Sequence, residues 1–237
     1  MGEESPDRGP LVLLGRPEDV LHVAGEHLLT PRERRRAGAL RHRADRDAYV
    51  AAHHLVRHCA AALTGRPVEA LELVQECADC GSTEHGRPSI AGVPGLHVSL
   101  AHTRGAVVAG ADRRPIGVDV EGARTRDLDP ALLAHTLTAA EAARVRSASD
   151  PPSAFVRHWV RKECLVKLGV VTLDELSHVE LDPTTEQDVE EGRTRSRFGP
   201  LHLLDWVDPT LDVAVAAAAH GPPVLGSARI WVPRGAT

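Results

Sequence analysis

The chain has 237 residues, 42% of them hydrophobic, and a formal charge of −5 at neutral pH. That length and apolar content bury a sizeable core and exclude a disordered chain. The negative balance argues against wholesale nucleic-acid binding. No segment approaches the length of a membrane span, the N-terminus lacks a secretory pattern, and four cysteines make no disulfide framework, so the expected setting is the cytoplasm.

In chain order, residues 11–14 read as a short buried strand. Thr30 is the expected N-cap of a charged helix over residues 31–40, with Pro31 in its first position. A longer helix over 45–63 carries Tyr49, Ala52, Val56, Cys59, Ala60 and Leu63 at helical spacing and stops at Gly65 and Pro67. Residues 71–74 are a strand; 96–100, 106–111 and 116–121 form an antiparallel meander. Thr138 and Glu141 make a capping-box pair, and a helix over 153–168 is closed by Gly169. Strands follow near Val179 and over 201–206, 213–218 and 228–232, with residues 183–196 as an exposed polar loop. This order predicts an α+β fold of two halves similar in content, residues 1–112 and 113–237.

Chemistry concentrates in four places. In a strand over 116–121, Ile116, Val118 and Val120 face one way and Asp119 and Glu121 the other. Two carboxylates on one face suit a hard cation such as magnesium, or are simply solvated acids. In the helix 153–168, Phe155, Trp159, Glu163 and Lys167 form one row, so an acid continues an aromatic face. Glu163 then needs a cation, or pairs with Lys167. Gly86-Arg87-Pro88 offers a guanidinium suited to phosphate, and His102 and Thr103 end a strand in a polar turn. The cluster of basic residues over 32–46 suits a small anionic ligand.

Cys77 and Cys80 invite a zinc reading with His85, but no second cysteine pair stands nearby; a turn before the Gly86-Arg87-Pro88 loop is the preferred reading over a zinc or redox site. His53 and His54 read as surface or interface residues.

Taken together, Gly86-Arg87-Pro88, residues 98–103, residues 116–121, and residues 155–169 with Trp159, Lys162-Glu163 and Lys167 resemble the Sfp-type 4′-phosphopantetheinyl transferases in order and spacing. Arg87 replaces the usual Lys, Ser99 the usual Asn, and Ala101 the usual Ser. The resemblance spans roughly residues 29–219.

The resemblance implies a fold of two α+β halves related by a pseudo-twofold axis, with coenzyme A in the cleft between them. It implies transfer of the phosphopantetheine arm of coenzyme A to a carrier-protein serine, with release of adenosine 3′,5′-bisphosphate. Asp119, Glu121 and Glu163 would hold Mg²⁺, and Asp119 would also contact the cofactor. Glu163, Lys167 and Lys162 would be catalytic, Lys167 steadying or protonating the leaving phosphate, and the base would be Glu163 or a metal-bound water. Arg43, Arg46, Arg87, His102, Thr103 and Lys167 would bind coenzyme A; the arginines of 32–41 would be solvated or face acidic carriers. Expected partners are acyl- or peptidyl-carrier domains of polyketide or non-ribosomal peptide synthesis, with no nucleic acid or membrane, and the protein is expected to be a monomer. A coenzyme A pyrophosphatase, or an inactive homologue that binds coenzyme A or a carrier without turnover, are the alternatives.

Overall fold

The structure, a computed structural model, describes residues 9–23, 28–77, 80–82, 86–123, 128–189 and 192–226. β1 (Leu11–Gly15) leads into α1 (Pro17–Val23). α2 (Pro31–Ala39) begins at a complete capping box: Thr30 Oγ1 accepts the Glu33 N–H, and the Thr30 N–H donates to Glu33 Oε2. α3 (Arg43–Thr64) ends at Gly65, whose φ of 69° needs a residue without Cβ. β2 (Leu73–Glu76) and β3 (Arg87–Ile90) make a separate hairpin. β4 (His97–Thr103), β5 (Ala106–Asp112) and β6 (Ile116–Gly122) follow.

The second part opens with α4 (Pro130–Thr136) and α5 (Ala139–Ser147), the latter entered through the Thr138–Glu141 capping box. α6 (Pro151–Leu168) starts two residues earlier than the pattern suggests, because Asp150 caps it and Pro151 opens it. Strands β7 (Gln187–Val189), β8 (Arg193–Phe198), β9 (Leu201–Asp208), β10 (Val213–Ala219) and β11 (Val224–Leu225) complete the described elements.

Two sheets result, ordered β11-β1-β5-β4 and β6-β10-β9-β8-β7. The period-two alternation of each strand serves two cores. On one face of the first sheet, Leu11, Leu13, Val107 and Ala109 pack against Leu55, Val56 and Cys59 of α3. On one face of the second, Ala214, Ala216 and Ala218 pack against Val156, Val160 and Cys164 of α6. The remaining faces meet each other: Val12, Ala106 and Val108 share a third core with Val118, Trp206 and Val215.

Several expectations need correction. β6 does not continue a meander; it leaves the first sheet and pairs with β10 in the second, since its inward residues belong to the core between the sheets. Val179 ends a 3₁₀ turn rather than forming a strand. Residues 183–196 include the edge strand β7 and most of β8, which is paired on both sides and buries Thr194 and Ser196. His53 and His54 are buried, not superficial; His53 Nδ1 lies 2.8 Å from the Tyr49 carbonyl, and burial lowers both imidazoles to a pKa of about 4. Residues 228–232 lie outside the described residues. No helix among the described residues is long and apolar enough to cross a membrane.

The same fastening occurs twice. The capping-box acid of α2, Glu33, takes both terminal nitrogens of the buried Arg57 from α3, at 2.9 and 2.7 Å, and Arg57 Nε donates to the Leu71 carbonyl. The capping-box acid of α5, Glu141, takes Lys162 Nζ from α6 at 2.5 Å, and Lys162 also donates to the carbonyls of Thr136 and Leu176, each at 2.8 Å. In both cases the carbonyl lies 14 residues beyond the cation. Lys162, expected from the resemblance to be catalytic, is bound here to Thr136, Glu141 and Leu176. Its side chain is 0% exposed and its three N–H donors are consumed, because it faces α4 and α5 while the next residue, Glu163, turns elsewhere. Removing one partner strands a buried charge, so Lys162→Ala is expected to lower the unfolding free energy by about 3–5 kcal/mol. Urea denaturation of the variant measures this.

Candidate active site

The site exists because a helix backbone touches a strand. A Cβ placed on Gly117 of β6 would lie 2.2 Å from the Cys164 carbonyl oxygen of α6. Only glycine permits that approach, which seats Glu163 and Lys167 beside Asp119. The row read from the sequence is present: Phe155 is buried, its ring centroid 6.3 Å from that of the half-buried Trp159, and Glu163 and Lys167 continue it half-buried.

Lys167 does not form a simple helix pair with Glu163. Its Nζ donates to Asp119 Oδ1 at 2.7 Å and to the Val118 carbonyl at 2.9 Å. Asp119 is 6% exposed, and its other oxygen, Oδ2, is buried with no hydrogen-bond partner. Thr103 Oγ1 donates to Glu121 Oε2 at 3.4 Å. Burial, then the neighbouring Asp119 charge, raises the carboxyls of both Glu121 and Glu163 above the usual range. Three acids thus feel one another around a single lysine. Among the described residues no three Asp, Glu, His or Cys side chains stand close enough to complete a metal cluster. The donor set nevertheless fits a divalent cation of the magnesium type: hard oxygens, mutual repulsion, and an orphaned buried carboxylate oxygen on Asp119.

Two adjoining cavities meet here. The larger, about 950 Å³, is lined by Arg87 and Pro88 of the hairpin, by Ser99 of β4, and by Ile116 and Lys167. The smaller, about 270 Å³, is lined by Arg36, Tyr49, His102, Asp119, Glu121 and Lys167. Gln75, Leu100 and Lys167 border both. Arg87 lies against the end of α6: a Cβ on Gly169 would fall 1.5 Å from a guanidinium nitrogen. A cation there meets the negative pole of the helix. Burial and then the Lys167 charge lower the His102 imidazole below its ordinary value.

The structure therefore brings Asp119, Glu121, Glu163, Lys167, Thr103, His102 and Arg87 to one region. Arg43 and Arg46 are not among the residues lining either cavity. Both are exposed in the first turn of α3, where Arg43 pairs with Asp47 at 3.3 Å, because the chain breaks at Leu40 between the two helices and turns them outward. Arg36, on α2, lines the smaller cavity instead. Tyr49 and Gln75 also line it without having been singled out. Tyr49 reads as an ordinary core position, and its stacking on His53 (centroids 4.0 Å apart) and edge contact with His102 (6.1 Å) depend on tertiary structure. Cys77 and Cys80 occupy a turn in which the Gly81 N–H donates to the Cys77 carbonyl; His85 lies outside the described residues. Cys59 and Cys164 are buried.

Filling the contact at Gly117 should separate helix and strand. Gly117→Ala is expected to cost about 1–3 kcal/mol of stability. Chemical denaturation of the variant checks the value.

A model of the 4′-phosphopantetheinyl transferase superfamily matches residues 115–216, the segment holding the three acids and Lys167. A 4′-phosphopantetheinyl transferase of Bacillus subtilis is 26% identical over 87 residues, 37% of this chain and 39% of that protein. The 4′-phosphopantetheinyl transferase Sfp of Bacillus subtilis (strain 168) is 27% identical over 140 residues, 57% of this chain and 61% of that protein. The matches thus span less than two thirds of either relative. The acids and the lysine gathered at one strand edge thus lie inside the segment that is similar to the 4′-phosphopantetheinyl transferase superfamily.

Proposed function

We propose that the protein transfers the 4′-phosphopantetheine arm of coenzyme A to a serine of an acyl- or peptidyl-carrier protein and releases adenosine 3′,5′-bisphosphate. The observation that carries this reading is Lys167, held on Asp119 at the border of two cavities large enough together for an extended nucleotide cofactor. The paired fastenings Glu33–Arg57 and Glu141–Lys162 support a division into two α+β halves, residues 1–112 and 113–237, related by a pseudo-twofold axis with coenzyme A in the cleft between them.

In this reading Asp119, Glu121 and Glu163 would hold Mg²⁺, which when bound neutralises charge on a pyrophosphate. Lys167 stands as a fixed positive charge for the leaving phosphate and is the proton donor to it. Glu163 is assigned as the acceptor of the serine proton. Arg36, Arg87 and His102, which line the cavities, bind and orient coenzyme A, and Thr103 holds Glu121 beside them. The expected partners are carrier domains of polyketide or non-ribosomal peptide synthesis, met by a cytoplasmic monomer that binds neither nucleic acid nor membrane.

The test is intact-protein mass spectrometry of an apo carrier protein incubated with enzyme, coenzyme A and magnesium. The carrier should gain one phosphopantetheine arm, and lose that gain without magnesium or with Glu163→Ala. Consumption of coenzyme A without carrier modification would point to a hydrolase, and coenzyme A binding without turnover on any carrier to an inactive binder. The cavity lining adds a second expectation. Arg36→Ala should raise the KM for coenzyme A by roughly tenfold, the loss of one charge-assisted contact. Arg43→Ala should leave it unchanged in the same steady-state assay.

A further inference from the structure

Among the described residues, strand β6 has a ladder partner on one side only, β10. Its other margin faces β4, the last strand of its sheet among the described residues, and no backbone ladder joins the two. At Val118 that open margin is closed by two side chains. The Val118 N–H donates to Ser99 Oγ of β4 at 3.1 Å, and the Val118 carbonyl accepts from Lys167 Nζ of α6 at 2.9 Å. The next residue is Asp119, whose carboxylate takes the same ammonium. Ser99 is 4% exposed, and its hydroxyl is the partner that the buried Val118 amide has. Ser99 also lines the larger cavity.

We propose that Ser99 is a positioning residue: its hydroxyl fixes the Val118 peptide so that the Val118 carbonyl and the Asp119 carboxylate are offered together to Lys167. Ser99 touches no reacting atom in this role; it acts through β6. Without an acceptor at position 99, the Val118 amide must turn to find another partner, and the carbonyl on the same residue moves with it. Lys167 then keeps only Asp119 and swings on one contact instead of two. The inference rests on the transferase reading for its consequence in catalysis, though not for its geometry.

Three forms of the full chain separate this from a packing role: wild type, Ser99→Ala, and Ser99→Thr, which keeps the acceptor oxygen. Each is read by steady-state transfer to an apo carrier and by hydrogen exchange of the Val118 amide in NMR. Ser99→Ala is expected to lower kcat by roughly 10- to 100-fold, the scale of a small misplacement of a catalytic group. The KM for coenzyme A should stay within about twofold. The Val118 amide should exchange faster, and Ser99→Thr should restore both readouts. If Ser99→Ala does not fold, Ser99→Cys, nearly the same size with a weaker acceptor, should show a smaller loss of the same kind. A wild-type kcat in Ser99→Ala, or an equal loss in Ser99→Thr, overturns the proposal. If the wild type modifies no carrier, the transferase reading fails, while Val118 exchange still decides the positioning: unchanged protection in Ser99→Ala overturns it.

Discussion

Every part of the site depends on how the outer margin of β6 is satisfied. Four consecutive residues there each meet a different demand. Ile116 points its side chain into the core between the sheets. Gly117 removes a Cβ where the backbone of α6 arrives. Val118 returns a side chain to the core while its N–H and carbonyl are claimed by Ser99 and Lys167. Asp119 then presents its carboxylate to that same lysine. A buried N–H or carbonyl left without a partner costs about 1–3 kcal/mol, so these bonds are demands of folding before they are devices of chemistry.

Two kinds of charge arrangement stand out in the chain. Glu33–Arg57 and Glu141–Lys162 are saturated: each buried acid meets a cation, and each cation also meets backbone carbonyls. Asp119, Glu121 and Glu163 are not saturated. They share Lys167, and one oxygen of Asp119 has no partner. Interiors seldom keep an acid in that condition unless a ligand completes it. Saturated pairs hold the helices to one another, and the unsaturated set marks where a positive charge is wanted.

Much of this was legible in the sequence because it rests on local rules. The N-cap at Thr30, the capping box at Thr138, the glycine stops at Gly65 and Gly169, and the alternation over 116–121 depend on neighbours within a few residues. What was not legible needed partners far along the chain. The pattern of 116–121 is the same whether β6 pairs with β5 or β10, so the meander looked continuous. Lys162 and Glu163 are adjacent in sequence, and only the packing of α6 sends one to α5 and the other to the site. Arg36 and Arg43 sit in one basic run, and the break at Leu40 decides which of them reaches a cavity. The polar content of 183–196 suggested a loop, because a sequence pattern does not show that β7 and β8 extend the second sheet or that Thr194 and Ser196 are buried there.

β11 lies parallel to β1, with Leu11 opposite Val224 and Val12 opposite Leu225. The first strand of the chain is therefore flanked by the last one described. During synthesis, β1 can find β5 about a hundred residues after it is made, yet its other side stays open until residue 224 leaves the ribosome. An unpaired strand margin recruits other chains. The order of synthesis thus leaves the sheet of β1 open on one side until β11 arrives, and a ribosome stalled shortly before Val224 would expose an adhesive edge.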